Sequence, residues 1–358
     1  MNKDLRIYLY GDLKSDWYPK NAIQMFKKFS AFEFVNSPDK AHIIWKFSYG
    51  LILNRPKSKP NWLKLAFNQL SNTQFIDPKN QLMISSFHHL YQPKEDHWLN
   101  RVQTTDSQSD VIHFFSKKNA IENIGYFNNP IFVLPYWIET DKFKPLSNEN
   151  RQSIKLSLNL PKDKIIIGSF QRDTEKDLVS PKLEKGPDIF CDIVENLNKN
   201  KIFVLLAGPK RNYVTTRLKK ANIEFLDLGY IEYQTMNELY NAINYYLVTS
   251  RVEGGPQAIL ECMSSATPIY STPVGISNLL DNRVVHSKIN DFVESIQKDY
   301  PPILDTHLKK TNQFDVSNMI KSYEQNFTDI YESFINKETS YQEKLTGIDW
   351  FNTKREVL

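Results

Sequence analysis

The stretch from Ser250 to Leu280 reads SRVEGGPQAILECMSSATPIYSTPVGISNLL, and it decides the predicted fold of the chain. An apolar strand over residues 245–249 leads into the turn Gly254-Gly255-Pro256, and the apolar spacing after the turn predicts a helix over residues 257–264. The first N–H groups of such a helix have no partner within the helix and are free to bind an anion. A strand, a glycine turn and a helix in this order are typical of doubly wound α/β domains, which bind nucleotides at their strand ends.

Two glutamates of this stretch have different predicted environments. Glu253 lies at the turn, where the helix dipole stabilises a carboxylate. Glu261 lies about two turns along the helix at the 3.6-residue period. One carboxylate is therefore placed to face a polar ligand at the helix start, and the other to bind or brace a more distant part of that ligand.

The rest of the chain alternates short apolar strands with amphipathic helices, which is the pattern of parallel sheets. Strands are predicted at residues 5–10, 41–45, 81–85, 111–115 and 131–134 in a first group, and at residues 165–169, 202–206, 224–226 and 245–249 in a second. Other helices of the second group are predicted near residues 188–197, 215–220 and 236–242. Thr235 and Glu238 form a capping-box pattern at the start of the last of these helices. The polar segment 142–161 predicts the linker between the two groups, and an amphipathic helix is predicted beyond Ser317.

Composition limits the class of protein. With 358 residues, of which 41% are hydrophobic, the chain is long enough for two domains with separate cores. No apolar stretch approaches the roughly 20 residues that cross a bilayer, and the first residues lack the apolar segment of a secretory signal. Cys191 and Cys262 both fall in predicted helices, which favours reduced core cysteines. We therefore expect a cytoplasmic protein.

Charge is distributed unevenly, although the net charge is only +4. Residues 1–140 contain 17 Lys and Arg against 12 Asp and Glu, a surplus of five positive charges. This surplus is compatible with an anionic partner of the first half, and equally with a solvated basic surface. Nucleic acid is not expected as a partner, because no basic cluster with a nucleic-acid motif occurs.

Five segments of the second half, in the same order, resemble the donor-binding half of the retaining GT-B glycosyltransferases, specifically glycosyltransferase family 4. They are IIIGSFQRDT with KLEKGPDIF, LLAGPKR, LGYIEYQTMNELY, the run that starts at Ser250, and Pro273-Val274-Gly275. The resemblance is strong over roughly residues 164–280 and weak over the first 145 residues.

This resemblance implies an α/β GT-B fold, in which two Rossmann-like domains face a deep cleft. Residues 1–145 would form the acceptor-side domain, and residues 146–335 would form the domain that binds the nucleotide sugar. Residues 336–358 would form a helical tail that returns to the first domain, with Trp350 and Phe351 as packing anchors.

The resemblance also implies a donor site of charged side chains. Arg172 and Lys185 match the basic pair of the family, which stabilises the negative charge on the departing diphosphate. Lys182 is an alternative to Lys185, because the loop is longer than the minimal family pattern, and both positions also suit ordinary surface cations. Glu261 matches the glutamate that accepts hydrogen bonds from both ribose hydroxyls, and Glu253 matches the residue that faces the donor sugar.

Backbone groups complete the donor site that the resemblance implies. The turn Gly254-Gly255 and the N–H groups of Gly255, Gln257 and Ala258 match the cradle of the diphosphate, to which Pro256 cannot donate. Tyr230 and Ile231 match the segment that contacts the base.

In the first domain, the pair His88-His89 follows a predicted strand, and the match to the family selects His88 as a catalytic-site histidine near the sugar. The alternative is that the histidine caps the strand end. Metal binding would need more convergent ligands than this pair, so we expect neither a metal nor a cofactor. The chain departs from many relatives after its first strand, where Tyr10-Gly11-Asp12 contains one glycine instead of two.

The function implied is that of a retaining, metal-independent glycosyltransferase of polysaccharide biosynthesis. It would transfer a sugar from a UDP- or GDP-linked donor to a hydroxyl of a glycan or of a lipid-linked glycan. Two alternatives stay open, namely a catalytically silent GT-B-like binding or partner subunit, and a sugar-nucleotide epimerase. The base, the sugar, the acceptor and the oligomeric state are not determined by these motifs.

Residues 55–67, RPKSKPNWLKLAF, place four cations beside Trp62 and Phe67. Cations attract anionic headgroups and these aromatic side chains favour the interface, which predicts peripheral contact with the inner face of the cell membrane. The alternative is an ordinary helix whose apolar side packs into the first domain.

Overall fold

The computed structural model describes residues 5–11, 17–47, 77, 79–88, 90, 97–298, 304–336 and 349–351. The chain divides into two compact units, of which the first contains Met1–Pro135 and Val316–Leu358 and the second contains Tyr136–Asp315. Both divisions fall earlier in the chain than the domain boundaries expected from the sequence. The segment 55–67 of the membrane hypothesis and His89 lie outside the described residues.

The described strands and α-helices follow one another in the alternation that the sequence predicts. The strands are β1 (Arg6–Tyr10), β2 (Glu33–Phe34), β3 (Ile43–Lys46), β4 (Leu82–Phe87), β5 (Val111–Phe114), β6 (Ile131–Val133), β7 (Ile165–Ser169), β8 (Ile202–Leu206), β9 (Phe225–Asp227), β10 (Tyr245–Val248), β11 (Ile269–Ser271) and β12 (Asp349–Phe351). The helices are α1 (Trp17–Phe29), α2 (His97–Gln108), α3 (Lys117–Asn123), α4 (Asn148–Ser157), α5 (Pro187–Glu195), α6 (Asn212–Ala221), α7 (Met236–Ala242), α8 (Gln257–Ser264), α9 (Ile289–Gln297), α10 (Leu304–Thr311) and α11 (Val316–Ile335).

In the first unit, the described strands form a sheet in the order β12-β6-β5-β4-β3-β1-β2. Strands β1 to β6 pair in parallel, and their side chains are largely buried, as expected when helices cover both faces. On one face, Trp45 contacts Phe26 of α1 at 4.8 Å and Phe327 of α11 at 4.9 Å between ring centroids. The helix α11 therefore packs into the first unit, whereas the expected boundaries placed residues 316–335 in the second domain.

The end of the chain differs from the helical tail expected over residues 336–358. Residues Asp349–Phe351 form β12, which pairs antiparallel with β6 and sets Trp350 opposite Phe132. Two physical reasons favour a strand here. Aromatic residues suit strands, and β6 would otherwise leave an open edge with unpaired backbone groups.

A chain of hydrogen bonds between neutral groups crosses the core of the first unit. Trp45 Nε1 donates to Ser86 Oγ at 2.7 Å, and Ser86 Oγ lies 2.8 Å from His113 Nδ1. His113 Nε2 lies 3.0 Å from the carbonyl oxygen of Leu134, to which Tyr323 Oη of α11 donates at 2.9 Å. Because a carbonyl oxygen only accepts, Nε2 carries the imidazole proton and Nδ1 accepts from Ser86. Burial lowers the pKa of His113 to about 3, so this network keeps the ring neutral.

In the second unit, the described strands form a parallel sheet in the order β11-β10-β7-β8-β9. The chain moves from β7 through β8 to β9 in one direction and then returns to place β10 and β11 on the other side. The strand order therefore reverses between β7 and β10. In open α/β sheets, ligands bind outside the carboxyl ends of the strands at such a reversal.

The predicted capping box identifies the start of α7 correctly but not the cap. Thr235 has helical backbone angles and its side chain makes no cap hydrogen bond. A 3₁₀ turn over Tyr233–Thr235 precedes the helix, so the Thr235 hydroxyl donates backward to the carbonyl oxygen of Glu232 at 2.9 Å. A capping box requires an extended residue at this position, and the preceding turn prevents that conformation.

Candidate active site

The candidate site of the second unit lies at the carboxyl ends of β7 and β10, where the strand order reverses. The loop after β7 carries Arg172 and ends in a 3₁₀ turn over Leu183–Lys185. The loop after β10 carries Glu253 and the glycine turn before α8. Because β7 and β10 are hydrogen-bonded neighbours, the two predicted groups of donor-site residues follow adjacent strand ends.

Gly275 packs closely against the glycine turn. It has φ +51°, and a Cβ atom there would lie 2.7 Å from Pro256 Cδ and 3.1 Å from the carbonyl oxygen of Glu253. A Cβ atom at Gly255 would lie 3.1 Å from the ring of Tyr136. These close approaches require glycine and hold Glu253 and the first N–H groups of α8 in one packed turn. Gln257 Nε2 also donates to the carbonyl oxygen of Trp137 at 2.8 Å, which anchors the first residue of α8.

Lys185 and Glu253 form an ion pair at this turn. Lys185 Nζ lies 2.6 Å from Glu253 Oε1, and Ser250 Oγ donates to the same oxygen at 2.9 Å. Lys182 instead pairs with Glu184 of its own loop. The two candidate lysines therefore differ in position. The ammonium of Lys185 lies at the glycine turn, whereas the ammonium of Lys182 is held within its own loop.

Arg172 is the second predicted cation of the site. Its Nη2 atom lies 3.9 Å from Glu175 Oε2, a long contact, and its side chain is about a third exposed, at 31%. Within the described part of the chain, its buried Nε atom has no hydrogen-bond partner. A guanidinium with an unused donor beside a strand end is suited to bind a phosphate oxygen.

A buried ion pair that the motif analysis did not assign shapes the loop after β7. Arg211 Nε lies 3.4 Å from Asp173 Oδ2, and both side chains are buried. Arg211 Nη2 donates to Ser169 Oγ at 3.0 Å, and Asp173 accepts from the backbone N–H groups of Tyr213 and Val214 at the start of α6. Burial raises the pKa of Asp173 to about 6, against the opposing effect of Arg211. Arg211 ends the LLAGPKR segment, which was the available signal for this pair.

Glu261 is the most unusual carboxylate of the described residues. It is 2% exposed, and its Oε2 atom accepts from Tyr240 Oη at 2.6 Å. Its Oε1 atom is buried and has no hydrogen-bond partner in the described ranges. Burial raises the pKa of Glu261 to about 7, while the Tyr240 hydrogen bond and the charge of Lys142 oppose that shift. Buried polar atoms are nearly always paired, and this carboxylate oxygen keeps the capacity to accept a hydrogen bond.

The predicted base-contact residues follow the edge strand β9. Gly229 has φ +64°, and its carbonyl oxygen accepts from the N–H of Gly208 at 2.7 Å. Tyr230 is 62% exposed and Ile231 is half-buried. These residues share the carboxyl edge of the sheet with the loops after β7 and β8, and their contact with a base stays a prediction.

His88 lies in the first unit, directly after β4. Its Nε2 atom lies 2.6 Å from the carbonyl oxygen of Phe47, so this nitrogen donates. The imidazole stacks on Phe115 with 4.8 Å between ring centroids, and the carbonyl oxygen of His88 accepts from Asn119 Nδ2 at 3.2 Å. The histidine thus connects the ends of two neighbouring strands, and its catalytic role stays a prediction.

The described residues include neither a cluster of metal-ligating side chains nor a membrane-spanning helix. No cluster of three or more His, Cys, Asp or Glu side chains in the described ranges is arranged to hold a metal ion. None of the described helices combines the length and the apolar character needed to cross a bilayer.

Comparison with known proteins agrees with this geometry. The family model described as "Glycosyl transferases group 1" matches residues 178–298, which contain Lys185, Glu253 and Glu261. The resemblance to group 1 glycosyltransferases is confirmed. A mannosylfructose-phosphate synthase of Agrobacterium fabrum is 24% identical over 182 residues. That alignment spans 48% of this chain and only 37% of the relative.

Solved structures with low sequence identity share the fold of this chain. The Anabaena protein HepE in complex with UDP and glucose has a TM-score of 0.68 and 11% identity, covering 90% of this chain and 99% of that one. Sucrose-phosphate synthase from Thermosynechococcus elongatus has a TM-score of 0.63 and 15% identity, covering 90% of this chain and 82% of that one. The α/β GT-B fold that the sequence resemblance implies is therefore confirmed.

Proposed function

We propose that this protein is a retaining glycosyltransferase that takes its sugar from a nucleotide-diphosphate sugar. The observation that carries the proposal is the buried, unpaired Oε1 atom of Glu261, which lies on the helix that follows the glycine turn. A ribose diol supplies two O–H donors, and a carboxylate with a free oxygen is their natural acceptor. UDP is the first nucleotide to test, because the Anabaena relative was solved in complex with UDP.

The charges of the site fit the chemistry of a departing diphosphate. Arg172 has an Nε donor without a hydrogen-bond partner among the described residues, and the first N–H groups of α8 have no acceptor within the helix to which they can donate. Lys185 adds a third source of positive charge, although the ion pair with Glu253 must loosen for Lys185 to meet a phosphate. Preorganised donors of this kind stabilise charge that develops in the transition state without a divalent ion.

Retention follows in this proposal from a front-side reaction. The acceptor hydroxyl approaches the anomeric carbon on the face from which the diphosphate leaves, and a phosphate oxygen takes the hydroxyl proton. Glu253 faces the donor sugar in this scheme, with its carboxylate oriented by Ser250 and Lys185. The acceptor is a hydroxyl of a glycan or of a lipid-linked glycan. The cytoplasmic location and the membrane contact of residues 55–67 remain predictions.

Calorimetry with UDP, GDP and uridine tests the donor site. Glu261→Ala should weaken UDP binding about tenfold or more, because hydrogen bonds to a charged group contribute about 1.5–3 kcal/mol. Arg172→Ala should weaken UDP binding far more than uridine binding, since only UDP carries the diphosphate. Exposed Glu238→Ala and Lys201→Ala serve as matched controls and should leave both affinities unchanged.

Three outcomes separate the proposal from its alternatives. Unchanged UDP affinity in a folded Glu261→Ala protein would refute the ribose assignment, and equal losses for UDP and uridine in Arg172→Ala would make Arg172 structural. Release of UDP from UDP-glucose supports a transferase. UDP binding without turnover of any sugar nucleotide would favour a silent binding subunit, and an epimerised sugar nucleotide would favour an epimerase.

A further inference from the structure

The strand order also reverses in the sheet of the first unit. The proposed mechanism uses no residue at this second reversal. Five strands of this sheet lie in the order β2-β1-β3-β4-β5. From β1 the chain continues to β2 on one side, and from β3 it continues through β4 to β5 on the other side. The carboxyl ends of β1 and β3 are therefore the place where an open α/β sheet of this order binds a ligand. Strand β1 ends at Tyr10, next to Gly11, and strand β3 ends at Lys46.

A row of polar side chains crosses this end of the sheet. Tyr10 pairs with Lys46, and Lys46 pairs with Ser85 of β4. Parallel partners in register point to the same face, so these three residues lie on the face that carries Tyr8, Ile44 and Met83. Trp45 points to the opposite face, where it packs on α1 and α11. Lys46 thus stands at the polar end of an otherwise apolar face.

Lys46 is fully buried, and its charge has no partner among the residues that the structure describes. Its side chain is 0% exposed, and no described residue offers its Nζ atom a hydrogen-bond partner. Burial lowers the pKa of Lys46 to about 8, with no opposing contribution from a nearby anion. A buried, unpaired ammonium is strongly unfavourable, so an apolar side chain of similar length would suit the free protein better.

Neighbouring residues hold the end of β3 in place, and the adjacent edge of the sheet is partly exposed to solvent. His88 Nε2 donates to the carbonyl oxygen of Phe47, the residue after Lys46, at 2.6 Å. Tyr10 and Gly11 are half-buried, so solvent reaches the edge of the sheet beside Lys46. The surplus of positive charge in residues 1–140, 17 Lys and Arg against 12 Asp and Glu, also favours an anion on this half of the chain.

We propose that Lys46 is the centre of an anion-binding subsite in the first unit, and that the acceptor carries a phosphate or a carboxylate. The subsite itself stands on the geometry of the first unit, whereas its assignment to an acceptor rests on the proposed glycosyltransferase function. An anionic oxygen would supply the partner that the Lys46 ammonium lacks. Tyr10 and Ser85 are the register partners of Lys46 on the same face, and the Ser85 hydroxyl accepts from Ser109 Oγ at 2.6 Å.

The test compares Lys46→Met with the wild-type protein, and uses exposed Lys40→Met as the matched control. Thermal unfolding is recorded first without added anions. Lys46→Met should melt at a higher temperature than the wild type, because the substitution removes an unpaired buried charge and keeps the length of the side chain. A structural lysine would show the opposite change.

Affinities are then measured by calorimetry for inorganic phosphate, glucose 6-phosphate, glucuronate and glucose. The wild type should bind at least one of the two anionic sugars about tenfold or more tightly than glucose, and Lys46→Met should lose that preference while Lys40→Met keeps it. The stronger of the two anionic sugars identifies phosphate or carboxylate as the bound group. Equal affinities of wild type and Lys46→Met for every anion, or no preference of the wild type for anionic sugars, would overturn the subsite.

UDP affinity is measured for the same proteins, so that the two proposals can fail separately. UDP binding belongs to the second unit and should be unchanged in Lys46→Met. Absence of UDP binding in the wild type would overturn the donor proposal, while the anion affinities would still decide the subsite.

Discussion

The two units handle buried polar groups in different ways. In the second unit, two charged pairs hold the loops of the candidate site, Asp173 with Arg211 and Lys185 with Glu253, whereas the buried Glu261 accepts from the neutral hydroxyl of Tyr240. In the first unit, the chain from Trp45 through Ser86 to His113 consists of neutral groups, and Lys46 is a charge with no hydrogen-bond partner among the described residues. Charge pairs hold these loops of the second unit before any ligand arrives, whereas neutral hydrogen bonds form the network in the core of the first unit.

The glycines at the strand ends show the same contrast. Gly186 has φ +60°, and a Cβ atom there would overlap the backbone oxygen of Thr249, which cannot move without moving the loop after β10. In the first unit, a Cβ atom at Gly11 would meet Cδ1 of Ile23, the far end of a flexible side chain. Loop geometry in the second unit is therefore set by backbone contacts that only glycine permits.

The largest expected effect is the loss of stability in Gly186→Ala. Left-handed backbone strain and a clash with fixed backbone atoms should together lower the free energy of unfolding by about 4 kcal/mol. Gly11→Ala should lower it by only about 1 kcal/mol, because the Ile23 side chain can rotate away. Urea unfolding of both variants measures the difference. Equal losses of unfolding free energy in the two variants would contradict the proposed difference between the two glycine positions.

The next effect is a pH dependence of the first unit, due to His113. The pKa of His113 is about 3 in the folded protein, lowered by burial from 6.5. Between pH 6.5 and pH 3 the unfolded chain binds a proton that the folded chain does not, so stability falls as the pH falls. From pH 6.5 to pH 4 the loss should be on the order of 3 kcal/mol.

His113→Gln isolates this contribution. A glutamine amide can donate to Leu134 and accept from Ser86, but it does not titrate. The free energy of unfolding of the variant, measured in urea between pH 7 and pH 4, should fall less steeply than that of the wild type. Parallel curves would show that His113 is not the source of the acid sensitivity.

Elements with local determinants are predicted from the sequence, and elements that depend on distant partners are not. Residues 245–264 were predicted as strand, turn and helix because all their determinants are local: an apolar run, two glycines with a proline, and apolar helical spacing. Strand β11 escaped prediction because its three residues are too few to show a period. The helical tail was wrong at residues 349–351, because their pairing with β6 depends on a strand more than 200 residues away.

The same distinction between local and distant determinants applies to the site residues. Glu253, Glu261, Arg172 and Lys185 are recognisable because they fall in short motifs that resemble known ones. The Asp173–Arg211 pair depends on the adjacency of β7 and β8, and the charge of Lys46 is noticeable only once its neighbours are known to provide no partner. Motifs therefore predict the proposed donor site of the second unit, whereas the polar groups of the first unit are recognisable only from the tertiary structure.

The smallest expected effect is a pH dependence of the second unit with the opposite sign. The pKa of Glu261 is about 7 in the folded protein, raised by burial from 4.5. Between pH 4.5 and pH 7 the folded chain binds a proton that the unfolded chain lacks, so the contribution of Glu261 to stability rises as the pH falls. Comparing wild type with Glu261→Gln in urea between pH 7 and pH 5 should show a change on the order of 2 kcal/mol in their stability difference. Saturating UDP should reduce this change, because ribose hydroxyls that donate to Oε1 favour the ionised carboxylate. A slope of the same sign as that of His113 would contradict both the buried state of Glu261 and the contrast between the two units.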